Sequence, residues 1–521
     1  GTIQLGELAT RALLYAWLFV GIPAGVSILV NLLLAPAPRR TVEQAIAERL
    51  KLCAEVLRGA DEAVRRELGT KVRAGMAPIL EQLKFTGIEK SALVRDVSAL
   101  RQAALSSFAL MSAVDALASS PEVKLPGAVR SKLADTVEEM ASIVQRGGYP
   151  VEVSLELPPE GSVSPLAQEL LAAMRDAVVR FAEPEAAAPA PAEKKPGFFV
   201  ADAFTNPEHV HYALKTTAAA LFCYVLYTLL DWPGIHTCFL TVYIVAQSTA
   251  AESVEKLSLR LIGCLIGAAA GMAAIVFLVP HLTSIGALLI AVFIGAWAAA
   301  YVAAGSPRIS YAGFQIAFAF FLCLIQGSGP SFDLTVGRDR IIGIILGNLV
   351  AYFTFVYVWP SSISRRVDAA LAATFRCLSE VATAKAPAER RLLASQAQGA
   401  LSDIETDIEL ARYEPASIRR SAAWLATRRQ VVKETQSLGT LLLIGADTRE
   451  VSRVAAVTRL EQLAASASGE APGADHILSA GVQAPHGWQT LPARLDRSLR
   501  ALEEILTPAA AETEGRSHAQ A

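Results

Sequence analysis

The sequence predicts an all-α membrane protein. Its centre is a six-span transmembrane bundle arranged as a three-plus-three inverted repeat. One N-terminal span and two cytoplasmic helical domains complete it. Three observations carry this reading. First, RLIGCLIGAAAGMAAIVFLVP (260–280) and RIIGIILGNLVAYFTFVYVWP (340–360) share one pattern: an Arg, a Gly three residues on, a second Gly four further, and a Pro twenty past the Arg. Twenty helical residues rise about 30 Å, the thickness of a bilayer's hydrocarbon core. The small-residue spacing lets a second helix approach closely, so Gly263, Gly267, Gly271, Gly343 and Gly347 are read as helix-packing positions. Second, the 521 residues are 53% hydrophobic and 18% charged, against roughly 25% charged in soluble proteins; mean hydropathy is +0.39. Third, the charges collect in blocks that carry a single apolar helix face.

In chain order, residues 1–39 hold one span, the uncharged run 12–38, with Pro23 and Gly25 as candidate kinks. Residues 40–183 turn helical and charged, and Val42, Ile46, Leu50, Cys53 and Leu57 form one apolar face. Further helical patterns cover 70–86, 89–118, 123–146 and 165–182, and VEVSLELPPEGS between the last two reads as a loop. Residues 184–208 are a Pro/Ala linker and lead-in, which cannot build a core. Residues 209–362 hold six apolar segments at 211–230, 235–251, 258–279, 283–304, 310–327 and 340–361; the second is the most polar. Residues 363–507 are helical again, with Val367, Leu371, Phe375 and Leu378 on one face. Residues 508–521 read as a disordered tail.

PAPRRTVEQAIAERLKLCAEV (36–56) resembles PSSISRRVDAALAATFRCLSEV (360–381). A tandem duplication accounts for this. Residues 1–39 are then the last span of a first half whose other five spans are absent from this chain. The chain opens on Gly, and its first span has neither a basic leader nor a small-residue cleavage site, so no signal peptide is expected.

Lys and Arg favour the cytoplasmic ends of spans. Arg39, Arg40, Lys256, Arg260, Arg308, Arg365 and Arg366 fall on one side; on the other, loops 231–236 and 280–283 hold no Lys or Arg, and loop 328–339 holds Arg338 close to Asp333 and Asp339. The helical domains are therefore expected in the cytoplasm. The span after Arg260 then runs outward and the span after Arg340 inward, the inverted plan of many secondary transporters, whose substrates sit near the midplane.

Charged and polar residues near spans are the pathway candidates. Arg260 and Arg340 open their spans; each either snorkels to headgroups or contacts an anion or an acidic partner. Arg338, Asp339 and Asp333 surround Arg340 in sequence, so these carboxylates are candidate partners or proton carriers. Lys215 lies inside its span, either snorkelling or binding a carboxylate. Asp231 and His236 share a turn-forming loop; His236 is a candidate relay because imidazole is the side-chain type suited to passing protons. Glu252 and Glu255 precede Arg260 as a helix-start charge network. Gln247 and Gln315 lie within apolar runs, for helix-to-helix hydrogen bonds or a polar path.

Several classes are excluded. The 47 basic and 49 acidic residues nearly cancel, so no basic bias points to nucleic acid. None of the six cysteines forms a Cys-x-x-Cys pair, and four lie in apolar runs; they are packing residues rather than disulfides or metal ligands. There is no nucleotide-binding Gly-x-x-x-x-Gly-Lys-Ser/Thr loop and no His-Glu-x-x-His motif. No enzyme, metal or cofactor is expected.

ALKTTAAALFCYVLYTLLDWPGIHTCFLTVYIVAQS, KLSLRLIGCLIGAAAG, SYAGFQIAFAF and RDRIIGIILGN, in that order, resemble the fusaric acid resistance protein family, or aromatic acid exporter family, best over 207–365. The resemblance implies an inner-membrane efflux protein of Gram-negative bacteria that works with a periplasmic adaptor and an outer-membrane channel. It implies proton-driven export of aromatic carboxylic acids and some drugs. Alternatives are an organic-anion channel and a membrane scaffold acting through its helical domains, which are also candidate homodimer contacts.

Overall fold

The computed structural model describes residues 5–88, 94–150, 163–182, 203–325, 333–445, 450–468 and 490–517. Every regular element among them is a helix. The expected loop at 151–162 and most of the linker at 184–208 lie outside the described residues.

α1 (Leu5–Leu34) has no polar face, and its large apolar side chains from Leu13 to Leu34 are exposed, as a lipid-facing span requires. α2 (Pro38–Arg58) begins on Pro, which suits a first helical turn, and ends at Gly59 with φ 96°. Its predicted face of Val42, Ile46, Leu50, Cys53 and Leu57 is buried. Asp61 caps α3 (Glu62–Arg73) by accepting from the Val64 amide. The single helix expected over 70–86 is two, because Gly75 at φ 64° takes a left-handed turn before α4 (Ala77–Ile88). α5 (Val94–Ala118), α6 (Gly127–Gln145) and α7 (Pro165–Ala182) complete this half.

After the membrane bundle come α14 (Ile363–Thr383), α15 (Pro387–Leu410), α16 (Ala422–Ile444), α17 (Glu450–Ser468) and α18 (Leu491–Ser517). α18 runs past Pro508, where the sequence reading begins a disordered tail. The two helical halves repeat one plan. α2 packs on α6 as α14 packs on α17, α5 on α7 as α16 on α18, and the bent pair α3–α4 takes the place of α15. Their cores are continuous. Leu50, Phe108, Met111, Met174, Phe375, Leu378, Leu460 and Leu502 belong to one shared core. Arg391 crosses it, donating to Ser106 Oγ at 2.9 Å and to Asp176 Oδ2 at 2.8 Å. α5 is apolar enough to pass as a span, yet most of it is buried in this body.

The bundle consists of α8 (Pro207–Leu229), α9 (Thr237–Val245), α10 (Ala250–Ala273), α11 (Ile285–Gly305), α12 (Ser310–Leu324) and α13 (Thr335–Tyr357). α10 continues through a π turn and a 3-10 turn to His281. α8, α10, α11 and α13 are long enough to cross. The expected full-length second and fifth spans are shorter. α9 has 9 residues and α12 has 15, or about 14 and 23 Å of helix. α9 stops where Ala246 turns extended, and Thr249 caps the next helix with Glu252 in a reciprocal box. The two short helices lie against the long ones. α10 packs on α12, and α13 packs on α9. α11 has only Ala291 and Ala299 buried and presents Phe293, Ile294 and Trp297 outward.

Candidate functional site

The glycines set the geometry. A Cβ on Gly263 would lie 2.6 Å from the Ala312 carbonyl oxygen; on Gly267, 2.3 Å from that of Ile316; on Gly271, 2.6 Å from Cys323 Cβ. All three face α12. A Cβ on Gly343 would meet Thr237 Oγ1 at 2.0 Å, and one on Gly347 the Cys238 carbonyl at 2.6 Å. These two face α9 and the turn before it.

A residue three before such a glycine shares its helix face. Arg260 and Arg340 occupy that position, so both side chains run into the helix interfaces. Arg260 is 1% exposed and Arg340 7%. Arg260 donates from Nε to Thr241 Oγ1 at 3.3 Å and from Nη1 to the Tyr311 hydroxyl at 3.0 Å. Gln315 Nε2 donates to the same hydroxyl at 3.0 Å, while its Oε1 is buried without a partner. The Arg340 guanidinium lies 4.3 Å from the centre of the Phe318 ring, beside the thiols of Cys264 and Cys323, and its Nε is buried without a partner among the described residues. Neither guanidinium forms an ion pair among the described residues. Two buried cations held by neutral groups form a region of positive potential, which favours an anion.

The other predicted residues lie elsewhere. Lys215 is buried in α8, donates to the Trp359 carbonyl at 3.1 Å and sits 4.8 Å from the Phe355 ring centre. Asp231, at φ 46°, and His236 are exposed; the His236 ring Nδ1 is 2.8 Å from the Pro233 carbonyl. Asp339 accepts from Trp232 Nε1 at 3.1 Å and pairs with Arg338 at 2.8 Å. Asp333 accepts from the Thr335 amide at 2.8 Å. The expected partners of Arg340 thus serve the loop and the start of α13 instead.

Glu252 and Glu255 join the bundle to the helical body. Arg366 bridges Glu252 at 2.7 Å and Asp407 at 2.5 Å. Burial works against the Arg366 charge, but hydrogen bonds to Asp407 and Glu252 outweigh it and hold its pKa above the ordinary arginine range. Arg308 reaches Glu409 at 2.7 Å and Glu255 at 4.0 Å. Glu414, 1% exposed, accepts from the Ile363 amide and Ser362 Oγ at 2.7 Å each. Gln247 donates to the Ala246 carbonyl in the turn between α9 and α10.

Sequence reasoning missed Thr241, Tyr311, Phe318, Arg366 and Asp407. A signal for two of them was present. Tyr311, Gln315 and Phe318 are spaced by four and three, one face of a helix.

The sequence pattern of the fusaric acid resistance protein family matches residues 209–521, which hold the bundle and α14–α18. The chain belongs to the fusaric acid resistance protein family. It is also similar to the multidrug resistance protein MdtO of Shigella flexneri and of Escherichia coli K12, each 40% identical over 198 residues. That stretch is 37% of this chain and spans 28% of the length of those relatives. The matched stretch contains the interlocked helices and both buried arginines.

Proposed function

We propose that the chain is the membrane component of an inner-membrane efflux transporter that exports organic anions, with aromatic carboxylates as the substrate class. One observation carries this reading: Arg260 and Arg340 are buried between membrane helices with no carboxylate among the described residues to neutralise them. A charge at the bilayer centre costs about 2.5–3.5 kcal/mol on insertion scales, and such residues mark substrate or ion pathways. Two support a site for a small anion near the middle of the bundle. Family membership and the names of the MdtO relatives, which are multidrug resistance proteins, support export.

On this reading α8–α10 and α11–α13 are the two inverted repeats. α9 and α12 are their interrupted helices, each clasped by the Gly face of the other repeat. The helical body lies in the cytoplasm, and Lys215, Gln247, Glu252 and Glu255 line the inner approach. Asp231, His236, Asp333 and Asp339 lie at the outer mouth, where a protonatable group serves proton coupling. A periplasmic adaptor and an outer-membrane channel carry the substrate onward, and two copies pair through the helical bodies.

The test is accumulation of labelled benzoate by cells lacking their own aromatic-acid exporters. Cells expressing the protein should hold less benzoate than cells without it. Equal accumulation, with the protein present in the membrane, would overturn the proposal. An organic-anion channel would instead let benzoate follow the membrane potential in either direction.

A further inference from the structure

The two repeats carry the same arginine, yet they treat it differently. Their correspondence follows from the glycine contacts. Gly267 lies against the Ile316 carbonyl and the Ala319 Cβ; Gly347 lies against the Cys238 carbonyl and the Thr241 Cβ. Ala319 in α12 therefore corresponds to Thr241 in α9. One turn earlier, Gly263 lies against Ala312 and Gly343 against Ile235, so Tyr311 corresponds to Gly234.

Arg260 is held by the hydroxyls of Thr241 and Tyr311. The counterparts near Arg340 are Ala319 and Gly234, which have no hydroxyl to offer. Phe318 covers one face of the Arg340 guanidinium, and Arg340 Nε has no partner among the described residues. A buried N–H left unmade is costly, and one on a cation more so. In a guanidinium, Nε and one terminal nitrogen form a parallel donor edge that matches the two oxygens of a carboxylate.

We propose that the repeats have diverged in role: Arg340 takes the carboxylate of the substrate at its Nε, beside Phe318, while Arg260 is a fixed brace between α9 and α12. This rests on the transport reading above and assigns its anion contact to one of two otherwise equivalent arginines.

The experiment measures binding of labelled benzoate to the purified full chain in lipid nanodiscs, with thermal unfolding as a check on folding. Arg340→Gln should weaken binding by at least about tenfold, the range expected for a buried charge contact. Arg340→Lys keeps the charge but loses the fork, and should also weaken binding severalfold, which keeps the test alive if the Gln variant fails to fold. Tyr311→Phe should lower thermal stability and leave the benzoate Kd within about threefold. Unchanged binding in Arg340→Lys would overturn the assignment, as would a loss in Tyr311→Phe equal to that in Arg340→Gln, and either would leave the transport reading standing. No benzoate binding by the unaltered chain would overturn both.

Discussion

Gly267→Ala tests the interlocking of the bundle with a single methyl group. Its Cβ would lie 2.3 Å from the Ile316 carbonyl oxygen and 2.9 Å from Ala319 Cβ. The obstacle is backbone, so no side chain can swing aside, and α10 and α12 must separate by about 1 Å to reach ordinary contact. A gap of that size forfeits a quarter to a half of the dispersion energy of the atoms facing it, and overpacking of this kind costs about 1–3 kcal/mol. The gain in helix propensity from Gly to Ala is about 1 kcal/mol and offsets only part of it. Gly399→Ala is the control, because a Cβ there meets nothing within 4 Å in the middle of α15. Both variants would be unfolded with increasing sodium dodecyl sulfate while helicity is followed. Gly267→Ala should unfold at a lower detergent fraction than the unaltered chain, and Gly399→Ala at the same fraction or a higher one. A Gly267→Ala protein as stable as the original would refute the close approach of α10 and α12.

Three further outcomes are expected. Arg366→Ala and Asp407→Asn should each destabilise the protein, and a double-mutant cycle between them, read by thermal unfolding, should return a coupling of about 1 kcal/mol; additivity would mean that the bridge contributes nothing. Leu378→Ala, at a fully buried site in the shared core, should cost about 2–5 kcal/mol in chemical denaturation, and a cost below about 1 kcal/mol would place Leu378 outside a packed core. Gly75→Ala meets both a left-handed φ of 64° and the Ser395 carbonyl at 2.7 Å; left-handed backbone alone costs about 1–2 kcal/mol, so its melting temperature should fall clearly below that of Gly399→Ala.

The sequence made the long helices legible because unbroken apolar runs such as 285–305 have no soluble alternative. It overread α9 and α12, since hydropathy registers apolar residues without saying whether lipid or protein covers them. Val42 and Val367 announced their helix faces through spacing, but nothing in either block showed that the two faces enter one core. That packing joins residues more than three hundred positions apart. The arginine positions were legible from the glycines three residues on. Their partners were not. Asp339 stands next to Arg340 in the chain, yet successive helical residues point about 100° apart, which turns Asp339 toward Trp232 while Arg340 enters the bundle. Thr241 and Tyr311 reach Arg260 from two other helices, a meeting that only the fold arranges.

The most direct test of the central claim is uptake of labelled benzoate into inverted membrane vesicles that contain the protein, with and without a protonophore, alongside Arg340→Ala. Proton-coupled export through the buried arginine predicts uptake that the protonophore abolishes and that Arg340→Ala reduces to the level of empty vesicles. Uptake that ignores the protonophore, or that Arg340→Ala leaves unchanged, would contradict it.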